Sequence, residues 1–199
     1  MLMMRAMIML RMIVKPLDYS KIVWNYKNDK GQNYDAKKWV DRYFPLGLSI
    51  LFTFIIFNLY FFFEYSIFFK SEAFYYITCF LQTLPGFYIA ALAAIVSFKN
   101  DQLDEIDFDD CPVDAKGYNM TFRRFLSNTF AYLAWLSIFL IIYCISLRYI
   151  FEQKDMMISI GYFSIIYIFL LIPFGFFFSQ LISITAMSLS YLGDRIHRP

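Results

Sequence analysis

Long apolar runs, separated by short polar segments, make up most of this chain. Four of the runs reach the roughly 20 residues that a helix needs to cross a hydrocarbon core about 30 Å thick. We predict the spans at residues 43–69, 73–98, 125–149 and 156–178. Because lipid offers no partner for an open backbone hydrogen bond, each span must be helical. The pattern therefore predicts an all-α membrane protein in which four transmembrane helices form an antiparallel bundle.

The composition supports the same class of protein. Apolar residues make up 60% of the 199 residues, aromatic residues 22% and charged residues 17%, and the mean hydropathy is +0.51. An ordinary soluble domain is about 45–50% apolar, so the soluble, disordered and disulfide-scaffold classes are excluded. The net charge of +2 gives no reason to expect direct binding of nucleic acid.

Lysine and arginine residues predict the orientation of the spans. Fifteen of the 18 fall in residues 1–42, 99–124 and 179–199, and only three lie near the two short loops at 70–72 and 150–155. Basic residues concentrate on the cytoplasmic side of a membrane protein, and short loops join antiparallel neighbours. We therefore predict a multi-pass protein of the bacterial inner membrane with both termini cytoplasmic and the two short loops outside.

The basic N-terminal segment, residues 1–42, is predicted to end in a short interfacial helix. Within Asp35–Tyr43, Trp39 falls on one helical face, while Asp41 and Arg42 fall toward the other. Such a helix suits the headgroup region, where tryptophan anchors and arginine meets anionic lipid. Membrane lipid is thus one predicted partner.

The fourth apolar run continues well beyond a single crossing. Pro173 and Gly175 predict a kink near the cytoplasmic boundary, followed by a helical cytoplasmic tail at residues 179–199. The hydroxyl residues of this tail could instead line a conduit in an oligomer. A small channel or membrane-perturbing pore effector is therefore the alternative function. Its candidate pore-lining residues are Ser179, Ser183 and Ser190.

The central cytoplasmic loop, residues 99–124, holds seven acids within fourteen residues. They are Asp101, Asp104, Glu105, Asp107, Asp109, Asp110 and Asp114. The loop does not match a calcium-binding EF-hand, because Pro112 and Tyr118 occupy the glycine and glutamate positions counted from Asp107. Three uses of the acids remain open. The loop packs against the basic N-terminal segment, docks a basic cytosolic partner, or is only a solvated counterweight to that segment.

Small residues recur every four positions in the second span, at Gly86, Ala90 and Ala94. This spacing lets another helix approach closely. We predict a helix-packing face that is used either within the bundle or between copies of the chain in a homo-oligomer.

Residue types that carry catalysis or bind metals are scarce. His197 is the single histidine and lies near the C-terminal end, which removes the usual general base. The cysteines Cys79, Cys111 and Cys144 have no paired spacing, and the seven glycines form no phosphate-binding loop. We predict no catalytic residues, no metal ligands and no cofactor, and hence a protein that is not an enzyme.

The layout resembles a known family. Four spans in 199 residues, both ends cytoplasmic and an acidic cytosolic loop at Asp101–Asp114 are similar to the small membrane subunit of the bacterial Kiwa anti-phage defence system. The resemblance implies a homo-oligomer that senses infection and works with a cytosolic DNA-binding effector subunit. The acidic loop and the tail after Gln180 would face that subunit. The prediction is an oligomeric inner-membrane sensor or docking platform for a cytosolic protein partner.

Overall fold

The computed structural model describes residues 15–27, 33–62, 67–97, 101–104, 112–152 and 163–196. Its long helices are α1 (Phe44–Phe62), α2 (Glu72–Ser97), α3 (Phe122–Glu152) and α4 (Phe163–Ile196). The shorter elements are 3₁₀ turns at Lys15–Lys21 and Phe68–Lys70, antiparallel strands β1 (Asn25–Lys27) and β2 (Asn33–Asp35), helical turns at Ala36–Lys38 and Asp101–Asp104, and a π-helical turn at Trp39–Tyr43.

The four long helices form an antiparallel bundle, and each contains a stretch long and apolar enough to cross a membrane. These stretches are Trp39–Phe62, Glu72–Ser97, Phe122–Glu152 and Ile165–Gly193. The predicted fold class, an all-α bundle with four candidate membrane spans, is therefore confirmed. The protein is a multi-pass membrane protein.

The helices pack in two pairs, α1 along α4 and α2 along α3, and α3 and α4 join the pairs. Half of the apolar stretch of α3 is buried inside the protein, compared with 17% of that of α1 and 22% of that of α2. Large side chains such as Phe54 and Phe61 stay exposed on α1. The bundle therefore centres on α3, while α1 and α2 present apolar side chains to lipid.

Buried aromatic side chains pack together in the turn that precedes α2. Helix α1 ends at Phe62, before the end of the first predicted span at residue 69. A 3₁₀ turn at Phe68–Lys70 buries Phe68 and Phe69, and the Phe69 ring lies 5.2 Å from that of Phe74 and 5.0 Å from that of Phe151. The predicted span extended past Phe62 because apolar residues occur both in a lipid-facing helix and in a turn with buried rings, and the sequence pattern does not separate the two. We name this end of the bundle the hairpin end; it contains residues 67–72 and the end of α3 at Glu152.

Helix α4 continues across residue 178, where the last predicted span meets the predicted helical tail. Pro173 lies inside the helix, where its ring removes one backbone donor. Nearby carbonyls accept hydroxyl groups from the neighbouring helices. Ser49 Oγ donates to the Ile172 carbonyl at 2.7 Å, and Tyr143 Oη donates to the Leu170 carbonyl at 3.0 Å. These bonds tie the turns next to Pro173 to α1 and α3.

Candidate functional site: the cap at the loop end of the bundle

The end of the bundle opposite the hairpin end is covered by residues 15–27, 33–43, 101–104 and 112–121, which we name the cap. Val23 and Val113 each donate a backbone N–H to the carbonyl of the other, at 3.0 and 2.8 Å. Val113 also forms a β-bridge with Asn119. The basic N-terminal segment and the central loop are thus joined directly, by backbone hydrogen bonds.

Trp24 anchors the cap to the bundle. Its ring is largely buried and meets the rings of Phe125 on α3 and Tyr191 on α4 edge-on, at centroid distances of 5.1 and 4.9 Å. Edge-to-face pairs of this kind contribute about 0.5–1.5 kcal/mol each beyond area burial. The cap is therefore attached to two helices by one aromatic side chain.

Arg123 ties the acidic side of the cap to the bundle. Its guanidinium donates to both carboxylate oxygens of Asp104, at 2.7 and 2.8 Å, and to the Ile95 carbonyl at 2.6 Å. Ile95 lies in the last turn of α2, where carbonyls have no partner within the helix. The hydrogen bond from Arg123 also holds the pKa of the Asp104 carboxyl below its usual range. One planar side chain thus fixes the turn at 101–104 against α2 and α3.

Replacing Arg123 with alanine is expected to loosen this side of the cap. Because cleavage follows the population of the open form, we expect proteinase K to cut residues 98–121 about fivefold faster in the purified, detergent-solubilised variant. The matched control is Arg124→Ala, because the Arg124 guanidinium lies 3.6 Å from the Asp114 carboxylate and is well exposed. Its cleavage rate should stay near that of the wild type. Equal rates for the two variants would contradict the role given to Arg123.

A buried polar cluster lies beneath the cap, named here the Asp41 cluster. Its members are Tyr19, Lys37, Asp41, Tyr132 and Gln180. Lys37 and Asp41 are only 4% and 6% exposed and form an ion pair. Tyr19 Oη donates to Asp41 Oδ1 at 3.1 Å, and Lys37 Nζ lies 4.0 Å from the centre of the Tyr19 ring. Each buried charge therefore has a counter-charge and a second favourable contact, as a buried pair requires.

The same cluster connects the N-terminal segment with α3 and α4. Tyr132 on α3 stacks on Tyr19 at 4.9 Å and donates to Gln180 Oε1 on α4 at 3.0 Å. Gln180 Nε2 donates in turn to the backbone carbonyl of Asp41 at 2.9 Å. Pro45, four residues after Asp41, has no N–H to donate to that carbonyl. Gln180 therefore replaces a missing helical bond at a π-helical turn, a feature common at functional sites.

Burial shifts the pKa values of the two cluster residues that lie outside the spans, Lys37 and Tyr19. It lowers the pKa of the Lys37 ammonium, and the Asp41 carboxylate opposes that shift only in part. Burial, reinforced by Asp41, raises the pKa of Tyr19 well above its usual value, so this hydroxyl remains a donor. Among the described residues, no group of three or more histidine, cysteine or acidic side chains could hold a metal ion. The Asp41 cluster joins the N-terminal segment to α3 and α4 through an ion pair and hydrogen bonds.

Sequence reasoning did not identify the Asp41 cluster. The helical pattern placed Asp41 toward the polar side of an interfacial helix, whereas the structure turns Asp41 into the bundle and leaves Trp39 and Tyr43 exposed. The chain here leads straight into α1. Two local signals were present: the four-residue spacing from Lys37 to Asp41, and Pro45 four residues beyond.

The structure describes three of the seven loop acids. Asp104 pairs with Arg123, as described above. The Asp114 carboxylate accepts the backbone N–H groups of Tyr118 at 3.0 Å and Lys116 at 2.8 Å, which hold its pKa below the usual range. Asp101 begins the short helical turn at 101–104. Glu105, Asp107, Asp109 and Asp110 lie outside the described residues.

The candidate pore residues do not share one environment. Ser179 and Ser183 are buried within the bundle, and Ser183 Oγ donates to the Ser179 carbonyl at 2.7 Å. Ser190 is exposed near the end of α4. The first two hydroxyls are therefore part of the packed interior of a single chain.

The small residues of the second span lie on its outward face. Gly86, Ala90 and Ala94 are all exposed, whereas α2 packs inward through residues such as Leu84 and Tyr88. A Cβ atom built at Gly86 would meet nothing within 4 Å. No described part of the chain covers the face of α2 formed by these three small residues.

The fold and the cap together define a four-span membrane protein in which most of the described residues outside the spans lie at one end of the bundle. Family models, curated proteins and solved structures include no match to this chain.

Proposed function

We propose that this chain is a non-enzymatic, oligomeric protein of the bacterial inner membrane that serves as a sensor or docking platform for a cytosolic protein partner. The cap carries this proposal. It offers a folded surface at the end of the bundle where the basic residues concentrate, and that distribution supports a cytoplasmic location for both termini. The resemblance in layout to the membrane subunit of the Kiwa system supports anti-phage defence as the proposed setting.

The attachment of the cap supports a sensing role. Trp24 contacts α3 and α4 through Phe125 and Tyr191, and the Asp41 cluster reaches the same two helices. A shift of α4 against α3 in the membrane would have to move these contacts. Packed interfaces respond to such shifts by switching between arrangements, so a change in the bundle would alter the surface of the cap.

The outward face at Gly86, Ala90 and Ala94 supports the oligomer. Helices in lipid associate through close packing of small residues, and this face is open on the described chain. A second copy placed there would keep the cap free, because the face lies along α2 within the membrane.

A photoreactive amino acid at Tyr118 is expected to cross-link a soluble protein in cells. Tyr118 lies in the cap and is 67% exposed. The matched control is Tyr149, which is also 67% exposed but lies near the hairpin end of α3. The measurement is the mass of each ultraviolet-induced adduct and the identity of the attached protein. A soluble adduct at Tyr118 alone is expected, and either no adduct at Tyr118 or the same adduct at both positions would contradict the docking role.

The acids of the loop can be tested in the same cells. Asp104 and Asp114 hold the cap together, so both remain unchanged. The replaced acids are Asp101, Glu105, Asp107, Asp109 and Asp110, each changed to its amide. If these acids dock a basic partner, the Tyr118 adduct should fall at least about tenfold, as expected from the loss of several close charge pairs. An unchanged yield would leave the docking surface elsewhere on the cap.

A further inference from the structure

A cavity of about 430 Å³ lies between the first turn of the cap and the start of α3. Its charged lining consists of Lys15, Asp18, Lys21, Asp114, Lys116 and Arg124. Four of these six side chains are basic, so the cavity carries an excess of two positive charges.

The two acids of the cavity already have partners within the chain. Asp18 pairs with Lys21 at 2.7 Å, and Asp114 accepts two backbone N–H groups and faces Arg124 at 3.6 Å. Among the described residues, Lys15 and Lys116 form no ion pair. The excess charge of the lining therefore rests on two exposed lysine side chains, Lys15 from the first turn and Lys116 from the central loop.

The position of the cavity relates it to the membrane. Arg124 and Asn128 line it and belong to the first turns of the span of α3. At 100° per residue, Trp135, Ile138 and Ile142 continue the same helical face toward the hairpin end. Ile138 and Ile142 are 47% and 61% exposed. A basic cavity at the membrane boundary thus continues into an apolar stripe along the hydrocarbon region.

We infer that this cavity binds the headgroup of an acidic phospholipid, with an acyl chain lying along the stripe formed by Trp135, Ile138 and Ile142. An anionic phosphate would give Lys15 and Lys116 the ion-pair partner that neither has among the described residues. Basic pockets beside membrane helices recognise lipid headgroups in this way. A soluble phosphate would use the cavity but gain nothing from the stripe.

The test compares two charge-neutralising variants of the full-length protein in nanodiscs. Lys15→Gln with Lys116→Gln alters the cavity and breaks none of the described ion pairs. Lys38→Gln with Arg42→Gln removes two exposed charges at the same end and leaves this cavity unchanged. Both proteins are placed in mixtures of phosphatidylglycerol and phosphatidylcholine, and native mass spectrometry counts the phosphatidylglycerol molecules that remain bound.

The cavity variant should retain about tenfold less phosphatidylglycerol than the control, since each basic group near the surface strengthens binding severalfold. Equal losses in the two variants would show general attraction to an anionic surface and overturn the site. Two further measurements separate a lipid from a free anion. Trp135→Ala should lower retention of phosphatidylglycerol, and millimolar inorganic phosphate should not displace it. Displacement by phosphate together with no effect of Trp135→Ala would assign the cavity to a soluble anion and overturn the lipid proposal.

Discussion

Replacing Asp41 with asparagine is expected to lower the free energy of unfolding by about 3–5 kcal/mol. Asparagine keeps the shape of the side chain and an acceptor for the Tyr19 hydroxyl. It removes the ion-pair partner of the buried Lys37 ammonium, which is 4% exposed. An uncompensated buried charge is far more costly than a lost surface ion pair. Reversible unfolding in mixed detergent micelles, followed by circular dichroism, measures the change.

Two further variants separate charge burial from a general effect of mutation. Asp18→Asn breaks the pair with Lys21, in which both side chains are at least 60% exposed, and is expected to cost less than about 1 kcal/mol. Adding Lys37→Met to Asp41→Asn removes the stranded charge and should recover at least half of the loss. Similar costs for Asp41→Asn and Asp18→Asn, or no recovery with Lys37→Met, would show that the buried pair does not hold the cap on the bundle.

Replacing Gly175 with leucine is expected to destabilise the protein by about 3 kcal/mol, because α4 lies closely against α1 at this residue. A Cβ atom built at Gly175 would lie 3.1 Å from Ser49 Oγ, 3.3 Å from a carbon of the Phe52 ring and 3.4 Å from Ser49 Cα. The longer side chain would have to push the two helices apart. It would also disturb the hydrogen bond from Ser49 to the Ile172 carbonyl beside the proline.

Gly47→Leu is the matched control for this helix contact. It makes the same substitution in α1, at a position where an added Cβ atom would meet nothing within 4 Å. Its unfolding free energy should stay within about 0.5 kcal/mol of the wild type. The intermediate variant Gly175→Ala should fall between the two. Equal unfolding free energies for Gly175→Leu and Gly47→Leu would contradict the close packing of α1 on α4.

The Asp41 cluster was harder to predict from the sequence than the fold was. Patterning placed Lys37 and Asp41 in a basic segment at the membrane surface, which is where charged side chains in an amphipathic helix usually lie. Their burial depends on Tyr19 and Gln180, whose hydrogen bonds to Asp41 span 22 and 139 residues. No local pattern contains partners at such distances. Pro45 was the nearest local signal, since it leaves the Asp41 carbonyl in need of another donor.

The bounds of the helices likewise depend partly on the local sequence pattern and partly on packing between distant segments. The apolar run that continues to residue 69 includes both a lipid-facing helix that ends at Phe62 and a buried turn at Phe68–Lys70. Residues beyond 178 were predicted to form a helical tail at the cytoplasmic boundary, because the apolar run exceeds one crossing and polar residues become frequent there. Ser183 and Ser188 nevertheless remain inside it, because their hydroxyls donate to carbonyls of their own helix, at 2.7 Å each.

By itself the sequence determined the number of candidate spans, their helical form and their approximate positions, because a backbone in lipid must satisfy its hydrogen bonds within each segment. Only the tertiary structure decided which polar side chains are buried, how the N-terminal segment joins the central loop, and which helix faces remain open. Those choices depend on contacts between segments far apart in the chain. The ion pair of Lys37 and Asp41 is local in sequence, but its burial is decided by α3 and α4.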